Sequence, residues 1–361
     1  MIELTTKQWF MLFVLVLFFI AIGGITAFIS ASLLAFIPAY GYLRSIRNSE
    51  KYGKEPWEAL RIAFVWGALS GVFLAILLSA IGTPLLLLLL TDLTDPSVQD
   101  ILPIFVGAVI IAPIAEEIAK PLVMLQNERI RKEIDEIEDG IVYGAACGLG
   151  FGATENVMYG LTEGLAAAGF AGMAFLIIIR TVSSILLHLV TTSFTGHGIA
   201  RYLINGEPFS VVVKYYLVAV IIHGTWNLAA IYSLVYGSET GGFLIFLFSI
   251  LLAIAGLQLA KKRIAVLDGA TAVLPVSESL PPDSGWGEDK WNRESKWDNH
   301  STQWDAKKQE VQTNGGSQAS TLYSSETATA VGSDIDWKST IGTIIFLVFI
   351  AFNILEALGT F

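Results

Sequence analysis

The 361-residue chain is 54% hydrophobic and only 15% charged, so it belongs with membrane proteins before any water-soluble class is considered. Its formal net charge of -10 excludes nucleic acid as a partner, because binding phosphates requires a basic face. One cysteine, Cys147, forms neither an intramolecular disulfide nor a metal knuckle by itself and reads as a packed small residue.

The first apolar run, from Trp9 to Tyr42, follows Glu3 and Lys7 instead of a basic leader and is far longer than a signal-peptide core. It reads as a retained span, either one long tilted helix or, with Gly23, Gly24 and Pro38 as weak points, a helix plus a re-entrant piece. Further spans are expected near residues 61–90, 101–126, 140–161, 170–198, 211–235, 241–260 and 340–358, each long enough for about 30 Å of hydrocarbon. The fold class is therefore an all-α polytopic membrane protein of about eight transmembrane helices.

Basic residues near short loops resist translocation and set the orientation. Arg44, Arg47, Lys51, Lys54 and Arg61 place the first connection inside, whereas the next, "TDLTDPSVQD", has no base and lies outside. The alternation holds through the remaining connections and ends with the basic "KKR" at 261–263. Residues 1–265 thus form a multi-helix transmembrane core in the cell membrane. Residues 266–337 turn to Ser, Thr, Asp, Gly and Pro, and are expected as a disordered cytoplasmic loop, followed by a C-terminal span at 338–361. Trp286, Trp291, Trp297 and Trp304 in that loop fit no helix or strand period and are either docking anchors, interfacial residues or chance enrichment. The sequon at 299–301 would not meet the glycosylation machinery in a cytosolic loop.

An ionisable group inside the bilayer costs at least a few kcal/mol, which makes each one a functional candidate. Four lie near the middle of four different spans: Glu116, Glu155, His188 and His223. In "IAPIAEEIAK" Glu116 and Glu117 point about 100° apart, and Lys120 follows at helical spacing to neutralise them in part. A coupled carboxyl pair in a poorly solvated place is the equipment of general acid–base chemistry; the plain alternative is a buried pair that fixes helix packing. In "DGIVYGAACGLGFGATENVMYG" Gly140, Gly144, Gly148 and Gly152 form a bare stripe for close helix approach, with Glu155 and Asn156 directly after it. His188 with Thr192, and His223 with Asn227, lie four apart, so each imidazole is expected to find a hydrogen-bonding neighbour on its own face. Arg180 is expected as a counter-ion for Glu155, and His197 as a solvated residue.

Taken in order, "EEIAK", "DGIVYGAACGLGFGATENVMY", "HLVTTSFTG" and "HGTWN" resemble the successive motifs of the PrsW family of intramembrane proteases. Upstream, "IPAYGYLRSIRNSEKYGKEPWEALRIAFVWGALSG" is similar to that family's amino-terminal region, so the resemblance covers roughly residues 33 to 235. It implies a helical core like that of the CAAX-prenyl proteases and peptide-bond hydrolysis on membrane-anchored protein substrates, such as the anti-sigma factor cut by the family's namesake. It assigns the catalytic signature to Glu116 and Glu117, with Glu155, Asn156, His188 and His223 as the remaining polar set.

Two chemical versions stay open. In the first no cofactor is needed: a glutamate and an imidazole deprotonate water, and the second imidazole or an Asn156 or Asn227 amide donates to the oxyanion. In the second Glu155, His188 and His223 ligate zinc with a glutamate as base, although the chain lacks "HExxH". The competing function is a proton- or ion-coupled transporter using the same midplane groups, and a third is a scaffold docking partners through the tryptophan-rich loop.

Overall fold

The computed structural model describes residues 4–90 and 99–271, and among them every regular element is helical. Helix α1 (Thr6–Arg47) opens with a reciprocal cap in which Thr5 and Gln8 satisfy each other's backbone N–H groups. Forty-two residues rise about 63 Å, twice the hydrocarbon thickness, and the chain bends at Gly24, whose φ of +74° only glycine adopts freely. The long first run is thus one helix with a kink. Its fully buried Ala31, Ala35 and Ala39 fall every fourth residue, a small-residue face that lets other helices approach closely.

Helix α2 (Trp57–Trp66) continues through a π-helical turn, Gly67–Gly71, into α3 (Val72–Leu90). After residue 99 come α4 (Leu102–Phe105), a second π turn at Val106–Ile111, and α5 (Ala112–Ala119). Lys120 and Pro121 break this helix, since proline lacks the N–H and its ring clashes with the preceding turn. The chain resumes as α6 (Leu122–Gln126) and α7 (Glu128–Glu133), the latter capped by the Asn127 side chain.

Helix α8 (Ile137–Tyr159) passes through a third π turn, Gly160–Gly164, into α9 (Leu165–Thr181). The chain reverses at Ala168 and Gly169, which leave helical geometry, so Gly164 lies against Met173 and Gly160 against Ile177. Helices α10 (Ser184–Ile204) and α11 (Ser210–Ala230), the short α12 (Tyr232–Tyr236) and α13 (Glu239–Thr271) complete the described chain. Helix α10 runs antiparallel to α8, as the pairs Gly140–Gly196, Gly144–Thr192 and Gly148–His188 require.

Among the described residues six helical stretches are long and apolar enough to cross a membrane. The longest, Ile137–Ile204, doubles back at Gly169 and so accounts for two of the expected spans. Large apolar side chains such as Phe10, Leu88 and Ile221 stay exposed, a surface suited to hydrocarbon. The protein is an all-α integral membrane protein.

Three expectations need correction. The span expected over 170–198 is not continuous: it breaks at Val182–Ser183, where Ser183 leaves helical geometry, and it runs on to Ile204. The boundary at 265/266 is too early, because α13 continues to Thr271, with Ile264 and Leu267 buried and Asp268 accepting the backbone N–H groups of Lys51 (2.9 Å) and Tyr52 (3.1 Å). His197 is buried against the Tyr215 ring, 5.1 Å between centroids, instead of solvated. The rest of the polar loop and the C-terminal span lie outside the described residues.

Away from the bilayer centre, the loop between α1 and α2 buries Glu50 and Glu55. Burial pushes Glu50 up to about 8, with repulsion from Asp139 and Asp268 adding to it. Burial likewise pushes Glu55 up to about 7, with Glu50 contributing repulsion.

Candidate active site

Helix α5 delivers two carboxylates and ends at once. The break at Lys120–Pro121 follows one turn after Glu116, and Trp66 donates its indole N–H to the Ala119 carbonyl at 3.0 Å, using one acceptor that the helix end leaves over. Glu117 is fully buried; its Oε1 accepts from Lys120 Nζ (2.8 Å), Thr191 Oγ1 (2.9 Å) and His223 Nδ1 (2.8 Å). Glu116 faces the other way, as the 100° step between neighbours demands. Its Oε2 lies 3.2 Å from Lys120 Nζ and 3.8 Å from both His188 Nδ1 and His223 Nε2, and it is buried with no hydrogen-bond partner.

Helix α8 places Glu155, and α10 places His188, through the glycine stripe. A Cβ on Gly148 would stand 2.1 Å from the His188 carbonyl oxygen, and one on Gly152 2.9 Å from His188 Cδ2. The bare backbone is what allows the imidazole to sit at this depth. His188 Nε2 meets Glu155 Oε2 at 2.7 Å, and Arg180 Nη2 donates to that same oxygen at 2.8 Å. Arg180 also donates to Asn156 Oδ1 (3.0 Å) and Ser184 Oγ (3.0 Å). The two imidazoles meet edge to face, 5.1 Å between ring centroids.

Glu116, Glu117, Glu155, His188 and His223, from four helices, thus form one continuous network, buried except at the partly exposed Glu155. Each imidazole has one nitrogen held by a carboxylate, His188 by Glu155 and His223 by Glu117, while its other nitrogen faces Glu116. Three carboxyl groups meet one ammonium and one guanidinium, so acidic groups outnumber the lysine and arginine by one. Such a place favours a proton or a further cation.

Asn156 and Asn227 stand aside. Asn156 takes Arg180, and Asn227 donates to the Ala108 carbonyl (2.8 Å) in the second π turn. The expected i, i+4 partners also differ: His188 accepts from Lys120 at Nδ1 and meets Glu155 at Nε2 in place of Thr192, and His223 finds Glu117 in place of Asn227, because charged groups on facing helices are the stronger partners. The expected pairing of Arg180 with Glu155 is present at 2.8 Å. Thr191 was passed over in the sequence, although it lies one turn after His188 in the hydroxyl-rich "HLVTTSFTG".

The metal donor set also changes. The side-chain donors lying within 4.8 Å of one another here are those of Glu116, His188 and His223. Glu155 lies outside this group, on the far nitrogen of His188, where Arg180 holds it.

The profile of the PrsW family intramembrane metalloprotease matches residues 55–255, which include every member of this network. The chain is 27% identical over 198 residues to Protease PrsW of Clostridioides difficile (strain 630), across 54% of this chain and 76% of that protein. No solved structure matches it.

Proposed function

Because the chain belongs to the PrsW family of intramembrane metalloproteases, and is therefore a membrane-embedded endopeptidase, we propose that it cuts membrane-anchored protein substrates at the Glu116–His188–His223 cluster. One observation carries the assignment. Glu116 Oε2 is buried, lacks a hydrogen-bond partner, and faces an imidazole nitrogen on either side at 3.8 Å.

The donor set fits a metal ion of the family's kind. Two imidazole nitrogens and one carboxylate oxygen suit zinc, and the carboxylates behind both imidazoles supply the outer support that ligating histidines use. Glu116, His188 and His223 would hold it, and it would polarise the scissile carbonyl and acidify a water. Lys120 Nζ lies 2.8 Å from His188 Nδ1, so the ammonium would have to leave that nitrogen for a metal to be held there, and its contact with Glu117 could remain.

That ammonium also favours a second, metal-free reading. With Lys120 as the positive charge, a water beside Glu116 Oε2 gives its proton to that oxygen, and its oxygen attacks the carbonyl carbon. The Lys120 ammonium, 3.2 Å from Glu116 Oε2, donates to the oxyanion, and the stored proton passes to the amine as the carbon–nitrogen bond breaks. Glu116 is base in one reading and ligand in the other. Glu117 and Glu155 orient the imidazoles in both. The family match favours hydrolysis over the transport alternative, and a membrane-anchored regulator such as an anti-sigma factor is the substrate class the resemblance implies.

The test is purified full-length protein in detergent with a single-span reporter. Glu116→Gln abolishes cleavage in both readings; full retention of cleavage overturns the site. Bound zinc near one per chain, lost in His188→Ala and His223→Ala, selects the metal reading, and full cleavage by metal-stripped protein selects the other.

A further inference from the structure

A second buried cluster lies at the basic-loop end of the bundle, apart from the site. Glu50 and Glu55 come from the α1–α2 loop and Asp139 from the first turn of α8, with relative exposures of 1%, 3% and 1%. Asp139 precedes Gly148, the neighbour of His188, by nine residues, about 14 Å along the helix. One carboxylate oxygen from each of the three lies within 4.8 Å of the others.

Most of their oxygens have partners. Glu50 Oε2 accepts from the Glu55 N–H (3.1 Å), Glu55 Oε2 from the Tyr143 hydroxyl, and Asp139 Oδ2 from the N–H groups of Asp135 (2.9 Å) and Glu136 (2.7 Å). Glu50 Oε1 is left buried with no hydrogen-bond partner. A second trio, Glu136, Glu138 and Asp268, lies at the same end, and Glu138 Oε1 there is buried and unpartnered too. Arg47 spends its Nε on the Glu55 backbone carbonyl and lies over the Trp57 ring, 4.9 Å from its centroid. Buried carboxylates with an orphaned oxygen need a cation or a proton to be tolerated.

We propose that Glu50, Glu55 and Asp139 bind one hard divalent cation, calcium or magnesium, which ties the α1–α2 loop to the foot of α8. Only oxygen donors converge, which selects hard ions over zinc or copper. Calcium holds oxygens at about 2.3–2.6 Å, so oxygens on opposite sides of it are about 5 Å apart, and the observed spread of at most 4.8 Å accommodates that. Three carboxylates leave the ion's remaining positions to backbone oxygens, the neighbouring acids or water.

Full-length protein in detergent is stripped with EDTA, desalted, and titrated with CaCl2 or, separately, MgCl2 while thermal unfolding is followed by tryptophan fluorescence. One of the two ions raises the Tm saturably, by about 4 °C or more. Glu50→Gln removes a repulsive buried charge, so it unfolds no earlier than the stripped wild type and loses the response. Glu58→Gln, an exposed change in the same region, keeps it. A second readout does not depend on stability: Tb3+ luminescence sensitised by the adjacent Tyr143 is displaced by calcium and absent in Asp139→Asn. A Tm indifferent to both ions, or a response that survives Glu50→Gln, overturns the proposal and leaves the carboxyls holding protons.

Discussion

Gly148→Ala tests how the site is placed. The added Cβ would lie 2.1 Å from the His188 carbonyl oxygen and 2.6 Å from its carbon, both backbone atoms that no rotamer change can move. Ordinary contact needs roughly 3.4 Å, so α8 and α10 must separate by about 1 Å at this level. Overpacking of this kind costs about 1–3 kcal/mol, a tolerable loss for a large helical core. A displacement of about 1 Å at a reacting group, in contrast, can cost roughly 100-fold in rate. The variant is therefore expected to be inserted and folded, with a Tm lowered by a few degrees and kcat on a single-span reporter reduced about 100-fold. Gly41→Ala, whose Cβ meets nothing within 4 Å, is the control and keeps full activity. Activity of Gly148→Ala within about threefold of wild type, with the protein folded, would refute the claim that the glycine stripe sets the position of His188.

Glu155→Gln keeps a hydrogen-bonding group beside His188 Nε2 but removes its charge; metal affinity or kcat falls about 10–100-fold, and unchanged values in both assays refute the orienting role. Arg180→Met strips Glu155 of its ion pair and Asn156 of its donor. Glu155 is partly exposed and keeps its His188 contact, so the loss is smaller than the roughly 3–5 kcal/mol of breaking a buried pair, and it is read as a lowered Tm that Glu155→Gln partly restores in the double variant. In EDTA-treated protein, stability depends on pH through the α1–α2 loop. Folded Glu50 and Glu55 sit at about 8 and about 7, against about 4.3 when unfolded, so the folded state binds more protons between those values. The stabilisation is complete below about pH 4.3 and is lost as pH rises through 7 and 8. The Tm of Glu50→Gln falls less over that range, and equal slopes for variant and wild type would contradict the assignment.

Much of the site could be read before any coordinates because hydrocarbon makes buried charge expensive: Glu116, Glu155, His188 and His223 stood out by depth alone, and they do converge. What depth cannot give is direction. Which nitrogen of His188 meets Glu155, and hence that Glu116 and not Glu155 lies between the two imidazoles, depends on the rotation of α8 against α10. The break at Val182–Ser183 and the π turn at Val106–Ile111 were hidden for a related reason, since both sit within apolar runs whose composition is continuous. The late end of α13 was hidden by its polar sequence; Asp268 is polar because it holds two backbone N–H groups of another loop.

Helix α8 connects these observations. Gly148 on one face admits the backbone of His188, and Gly150 on another admits that of Phe64, where a Cβ would stand 2.0 Å from the carbonyl oxygen. The helix is therefore gripped between α10 and α2 over the segment that precedes Glu155. At its first turn Asp139 accepts the backbone N–H groups of Asp135 and Glu136, and toward its other end Arg180 holds Glu155 and Asn156. A helix fixed at both ends and on two faces can hold a carboxylate against an imidazole without relying on the weak, featureless packing of aliphatic side chains in lipid. Loosening either end should then reach His188 through the same rigid element, which predicts that Asp139→Asn, about 14 Å below the Gly148 contact, lowers cleavage and metal affinity together. A change in only one of them would mean that the foot of α8 acts by some route other than the position of His188.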